Sequence, residues 1–468
     1  MENGKPKKKF RLFDAVLMSV VVIMVVESVA PAAAIGTSQF FWWIFLLILF
    51  FVPYGLISSE LGTTYVGEGG LYDWVKQAFG SRWGGRLAWV YWINYPIWMA
   101  SLAVLFAQVA DTIFGIHMNL WVSMIVQLLF VWVVVILGNK PVSESKWIMN
   151  LAAFAKIFTI AALAVLGIYV AVTKGVANSF APKNLLPQMN INGLSNLSVI
   201  IFNFLGFEVV ATMADDMDNP KKQIPQAIVY GGILIAFFYV IAAFGMSVAV
   251  PTDKLSASSG LIDSFVLLVG HMNWFVVLVA IMFLYILASE MVSWALGVNY
   301  VADYAAKDHV LPNVFGIEDK KNKMPVGTGY LNAVVASILV IVSPFIPNKD
   351  IFWAFFSLNV VALLMSYMMM FPAFLKLRHS DPDRERPFKV PGGPVMIQLM
   401  TWVPEILLIA TVIMTAFPLN GSAEEMSSKM PILIGTIITL IIGEIVVRYA
   451  EHKNKVQSEH ANKKESSL

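Results

Sequence analysis

The sequence predicts an all-α membrane protein with twelve transmembrane helices. Three observations carry that expectation. Apolar stretches near twenty residues, the length that crosses a bilayer as a helix, recur along almost all of the 468-residue chain. The composition is 58% hydrophobic and only 13% charged, with a mean hydropathy of +0.72. The basic residues segregate. With spans at 13–35, 41–60, 86–113, 120–138, 147–172, 195–214, 226–250, 273–300, 328–346, 351–375, 395–418 and 431–449, 26 of the 32 Lys and Arg fall on the side of the N-terminus and five on the other. The remaining one, Lys156, lies within span 5. By the positive-inside rule both termini are cytoplasmic, and an error of one span would destroy the split.

Taken in order, residues 1–12 form a basic cytoplasmic tail, and the long run that follows lacks a small-residue cleavage site, so it reads as a permanent first helix. That span contains VVESVAPAAAIG (25–36), with a carboxylate at Glu27, Pro31 and Gly36. Pro31 removes a backbone donor and crowds the preceding turn, and the small residues beside it relax the helix, so the span is expected to break near its middle. GEGGLYDWVKQAFGSRWGGR (67–86) reads as a short interfacial helix between glycines. Span 5 carries Lys156 in NLAAFAKIFTIAAL, and span 6 carries Gly206 two residues before Glu208 in IFNFLGFEVVATMADD, a second interruption. Span 8 carries Glu290 in LYILASEMVSWALG, with Trp294 four residues on. The core is thus expected at 13–375, followed by a polar cytosolic loop (376–394), spans 11 and 12 (395–449) and a disordered cytoplasmic tail (450–468). No loop is long enough for an enzymatic or nucleic-acid-binding domain, and the absence of Cys removes disulfide, thiol and cysteine-metal chemistry.

An ionised group at membrane depth costs several kcal/mol unless it meets a partner or a wet cavity, so Glu27, Lys156, Glu208 and Glu290 are functional candidates. Any one of them could be a structural ion pair or a hydrogen-bonded neutral carboxyl. Together, three carboxylates against one lysine leave an acidic surplus, which favours a cationic solute. Glu60, Asp111 and Glu444 sit near span ends, where solvated or paired readings suffice, and Glu405 suggests a structural or oligomer contact. The interruptions in spans 1 and 6 lie five spans apart, the spacing of a 5+5 inverted repeat, and interrupted helices offer free backbone groups to a charged solute.

The stretch NFLGFEVVATMADDMDNPKKQIPQAI resembles the span-6 pattern of the amino acid–polyamine–organocation (APC) permeases, and GEGGLYDWVKQAFGSRWG resembles their Gly-Gly-aromatic loop. Within that superfamily ESVAP and ASEMVSW resemble the glutamate:GABA antiporter branch, whereas the Gly-x-Gly of span 1 common in other members is missing. The resemblance covers essentially the whole chain. It implies a LeuT-like fold with broken helices 1 and 6 and two C-terminal helices, and a sodium-independent antiporter of the plasma membrane that exchanges an amino acid or amine precursor for its amine product, of agmatine/putrescine or tyrosine/tyramine type. It further implies a substrate site of Glu27, Ser28, Ala30, Gly206, Glu208, Glu290 and Trp294, with Glu208 as anchor or gate, Glu290 holding an ammonium, and Lys156 replacing a sodium ion between spans 1 and 8. Alternatives are a glutamate:GABA exchanger or neutral amino-acid permease, with proton coupling open, and, in another class, a transport-derived sensor or structural membrane subunit. No Ser/His/Asp order, HExxH or P-loop suggests an enzyme. No cofactor or metal is expected, and the partners are small amines or amino acids and the bilayer, with monomer and homodimer both open.

Overall fold

A computed structural model gives the fold. It describes residues 12–13, 16, 23–65, 69–187, 194, 196–207, 219–256, 258–346, 348 and 350–465, with side chains outside the description at 142–146, 220, 296 and 457–465. The described residues form helices and connecting turns, with no strand among them. The principal helices are α1 (Val29–Ala33), α2 (Gln39–Thr64), α3 (Leu71–Phe79), α4 (Ser81–Phe114), α5 (Leu120–Gly138), α6 (Val142–Thr173), α7 (Leu197–Phe202), α8 (Pro220–Ala249), α9 (Gly260–Val269), α10 (Trp274–Lys307), α11 (Val326–Val342), α12 (Ile351–Tyr367), α13 (Met370–Ser380), α14 (Pro394–Ala416) and α15 (Ala423–Glu465).

Among the described residues, ten segments are long and apolar enough to cross a membrane, α12 and α13 running on as one. They coincide with expected spans 2–5 and 7–12. Within the segments expected as spans 1 and 6, the described residues include the short α1 and α7, each bordered by non-helical backbone, with helical residues at 12, 13, 16 and 23 ahead of the first break. The enclosed centre is α4 with the α12–α13 segment, whose apolar windows are 67% and 72% buried, whereas α5 and α15, at 22% and 17%, form the perimeter offered to lipid. Helices α6 and α8 meet at Gly167 and Gly245, where a Cβ on Gly167 would stand 2.8 Å from the Gly245 Cα. Small residues let two membrane helices approach this closely, and the contact fixes the helix that carries Lys156.

Three expectations are corrected. The tail after residue 449 is not disordered, since α15 continues to Glu465. Its sequence there lacks Gly and Pro, Glu451 and Lys455 are one turn apart, and Arg82 of α4 grips Glu451 through contacts of 2.8–3.1 Å. The α3 helix buries Leu71, Tyr72, Trp74 and Val75 against α4 and α13, so its apolar face meets protein rather than lipid. The 376–394 loop is not simply solvated either. Arg378 forks onto Glu60 of α2, Arg386 lies 3.3 Å from the same carboxylate, and the Val390 amide donates to it at 2.7 Å.

Candidate functional site

Met24 and Val25 are non-helical, and a 3-10 turn at Val26–Ser28 leads into α1. Pro31 is not at the break but in the first turn of α1, where a helix has no use for the missing N–H. The break is held instead from α8. The Val25 amide donates to the Tyr239 hydroxyl at 2.7 Å, and that hydroxyl lies 3.3 Å from the Val25 carbonyl. Trp43 stacks on Tyr239 at 4.7 Å and fixes its ring.

The second interruption follows α7. Gly206 has φ +103°, a conformation that side chains disfavour, and a Cβ there would come within 3.2 Å of the Trp294 indole. Just beyond it, the Phe207 amide donates to the Tyr54 hydroxyl of α2 at 3.1 Å. Ser28 joins the two interruptions: its hydroxyl is 2.6 Å from the Val25 carbonyl and 2.7 Å from Asn203 Oδ1. The Asn203 amide nitrogen has no partner, so exchanging its amide N and O would let it donate to Ser28 while Ser28 donates to Val25.

Beside this backbone lies a buried charge cluster. Lys156 of α6 hydrogen-bonds Glu290 of α10, both at most 1% exposed, and Glu290 Oε1 has no partner. Glu27 is 2% exposed and neither of its oxygens is hydrogen-bonded. The groups facing it are its own backbone amide, the Lys156 ammonium and the Trp98 indole, none of them in hydrogen-bond geometry with it. Trp294 packs edge-on against Trp98 at 5.4 Å. Fully ionised, Glu27, Lys156 and Glu290 carry one net negative charge, and Glu27 is the carboxylate without a counter-ion.

Of the residues singled out in the sequence, Glu27, Ser28, Lys156, Gly206, Glu290 and Trp294 therefore converge. The ammonium held by Glu290 is that of Lys156. Ala30 turns elsewhere, with its Cβ 3.1 Å from where a Cβ on Gly260 of α9 would stand. Glu208 lies outside the described residues. Sequence reasoning missed Tyr239, Tyr54, Trp98 and Asn203. Only Asn203, a lone amide in an apolar run, gave a signal.

The discounted charges are accounted for in most cases. Asp111 accepts from the Met118 amide at 2.6 Å, and Glu444 is gripped by Arg86 at 2.9 and 3.1 Å and by Arg448 at 2.7 Å. Glu405 is buried with Oε2 unpaired, and nothing in the structure explains it. Among the described residues no cluster of His, Asp and Glu could hold a metal ion.

Among the described residues, ten membrane-length helices, two short helices bordered by non-helical backbone and a buried charge cluster mark a multi-pass membrane transporter. The sequence model of the amino acid permease family matches residues 10–442, and the chain belongs to that family. It is 50% identical to the probable agmatine/putrescine antiporter AguD of Lactococcus lactis subsp. lactis over 449 residues, 96% of each chain. It is 23% identical to a glutamate/gamma-aminobutyrate antiporter of the same organism, over 85% of this chain and 82% of that one. It is also 23% identical to a probable polyamine transporter of Arabidopsis thaliana, over 87% and 76% of the two chains.

Proposed function

We propose that this permease is a sodium-independent exchanger of organic amines, of agmatine/putrescine type, working by alternating access at the cell membrane. The observation that carries this reading is Glu27, which is buried beside the first interruption with both oxygens unpaired. A buried carboxylate without donors is costly, and a substrate ammonium or guanidinium supplies the missing charge and N–H groups together. Lys156 and Glu290 neutralise each other, so the cluster's surplus resides at Glu27. Lys156 joins α10 to the neighbourhood of the first interruption as a fixed cation, a position at which a coupling sodium ion would be redundant. The identity to AguD over nearly the full length supports the same substrate class.

The fold that goes with this reading has twelve spans, both termini cytoplasmic, with spans 1–5 and 6–10 as inverted repeats. Two tyrosines support the repeat. Tyr239 of α8, the seventh span, caps the interruption of span 1, and Tyr54 of α2, the second span, caps that of span 6. Exchanging the repeats exchanges the two caps. Glu208, just past the second interruption, is assigned the gate.

Counterflow in proteoliposomes tests the proposal. Labelled agmatine should enter vesicles loaded with putrescine, without sodium, and should not accumulate in empty ones. Glu27→Gln should abolish exchange while the protein still purifies folded. Equal uptake into empty vesicles would overturn the exchanger, and glutamate outcompeting agmatine would overturn the cationic site.

A further inference from the structure

A cavity of about 270 Å³ lies where α14 ends and α15 begins. It is close to the lower end of the usual size range of ligand pockets, about 300–1,000 Å³. Asn196 at the start of α7, Trp353 and Ser357 of α12, and Glu424, Glu425 and Lys429 of α15 line it. Two of its charges are already committed. Lys429 donates to Glu425 at 2.8 Å and to the carbonyls of Met414 and Phe417 at 2.7 and 3.3 Å. The other Glu425 oxygen accepts from the Asn420 and Gly421 amides at 2.7 and 3.2 Å. These groups build a rigid wall and close the end of α14, with no net charge.

What remains is available to a ligand. Glu424 is exposed and takes part in no ion pair among the described residues. Ser357 is 1% exposed, and its hydroxyl has no hydrogen-bond partner. Trp353, stacked on Phe356 at 6.1 Å, presents an aromatic ring. One unpaired carboxylate, one aromatic face and one unsatisfied hydroxyl on a neutral wall match a small organic cation with N–H donors. The charge is met by Glu424, the ring provides cation–π attraction, and a donated N–H satisfies Ser357. An anion would be repelled.

We propose that this cavity is a second binding site, for an alkylammonium or guanidinium ion, distinct from the central cluster. Asn196 at the cavity and Asn203 at the cluster bracket α7, seven residues and about 10 Å apart at 1.5 Å per residue. An unbroken aromatic column spans the gap: Trp353, Phe356, Phe202, Trp98 and Trp294, with successive centroids 6.1, 5.6, 5.5 and 5.4 Å apart. The site therefore ends on the ring that packs against Gly206. By the distribution of basic residues it faces the outside, where an incoming amine first meets the protein. Its chemistry is read from its own walls and does not depend on which substrate is transported.

Calorimetric titration of the full-length protein in phosphatidylcholine nanodiscs with agmatine, at neutral pH and low salt, tests this. Two binding events are expected. Glu424→Gln, an exposed change that leaves the fold intact, should weaken one of them at least tenfold, and Ser357→Ala should weaken the same one by about three- to tenfold. Glu27→Gln should remove only the other. A titration unchanged by Glu424→Gln, or a single event lost in Glu27→Gln alone, overturns the second site. If Glu27→Gln changes nothing while Glu424→Gln removes an event, the second site stands and the central reading falls.

Discussion

The two interruptions are each held by a tyrosine hydroxyl from a distant helix, and removing those hydroxyls is the most direct test of how the broken segments are kept. In Tyr239→Phe the ring and its stacking on Trp43 at 4.7 Å are retained, and what disappears is the acceptor 2.7 Å from the Val25 amide. In Tyr54→Phe the acceptor 3.1 Å from the Phe207 amide is lost, while the stack on Phe50 at 6.0 Å remains. Both amides are buried at membrane depth, where an unsatisfied N–H finds no water. Each single change is therefore expected to destabilise by about 1–3 kcal/mol. The double variant should lose about 2–6 kcal/mol if the two caps act independently. Thermal unfolding of purified protein in detergent gives the ranking, and counterflow shows whether the loosened break slows exchange. Single variants within about 0.5 kcal/mol of the parent, with normal exchange, would refute the capping role.

Two further outcomes follow from the charges. Lys156→Met leaves Glu290 buried and unpaired and should destabilise by about 3–5 kcal/mol, whereas Lys156→Met combined with Glu290→Gln should recover most of that stability but no exchange. A single variant as stable as the parent would contradict the buried pair. At the end of α10, the hydrogen bond from Lys307 holds the Glu318 carboxyl below the usual carboxylate range. A depressed carboxylate contributes stability above its unfolded pKa, near 4.3, and loses it as the pH falls through the folded value. Hydrogen exchange around Glu318 should thus accelerate below about pH 4, and less so in Glu318→Gln.

The long helices were legible because apolar length is a strong signal, and ten of them fall where hydropathy placed them. Proline and glycine pointed to the right segments but not to the mechanism of interruption. Met24 and Val25 contain no helix breaker, and their geometry depends on Tyr239, 214 residues later. Burial cost singled out Lys156 and Glu290, yet nothing local could pair residues 134 positions apart. The same holds for Glu60, dismissed as a span-end charge and found 2% exposed beneath two arginines, one of them 318 positions away. The helical tail was misjudged because its polarity was taken for disorder, while its partner Arg82 lay on another helix.

Burial alone does not separate the roles of the glutamates in this bundle, since Glu27, Glu60 and Glu290 are all nearly inaccessible. Donor saturation does. Glu60 receives hydrogen bonds from Arg378 and the Val390 amide with Arg386 alongside, so every favourable interaction is already made within the protein, and an incoming cation would have to displace one. Glu290 is half satisfied: one oxygen holds Lys156 and the other makes no hydrogen bond, although the Trp294 indole lies close, which suits a group that positions a charge. Glu27 has no hydrogen bond at either oxygen but stands beside interrupted backbone and within the field of Lys156. Glu405 shares the unpaired oxygen, but no charged group acts on it. In the buried core, an unsatisfied carboxylate is a candidate binding group where it also adjoins interrupted backbone, whose free polar groups can meet a charged solute. Of the three buried glutamates Glu27, Glu60 and Glu290, only Glu27 leaves both oxygens unpaired beside interrupted backbone.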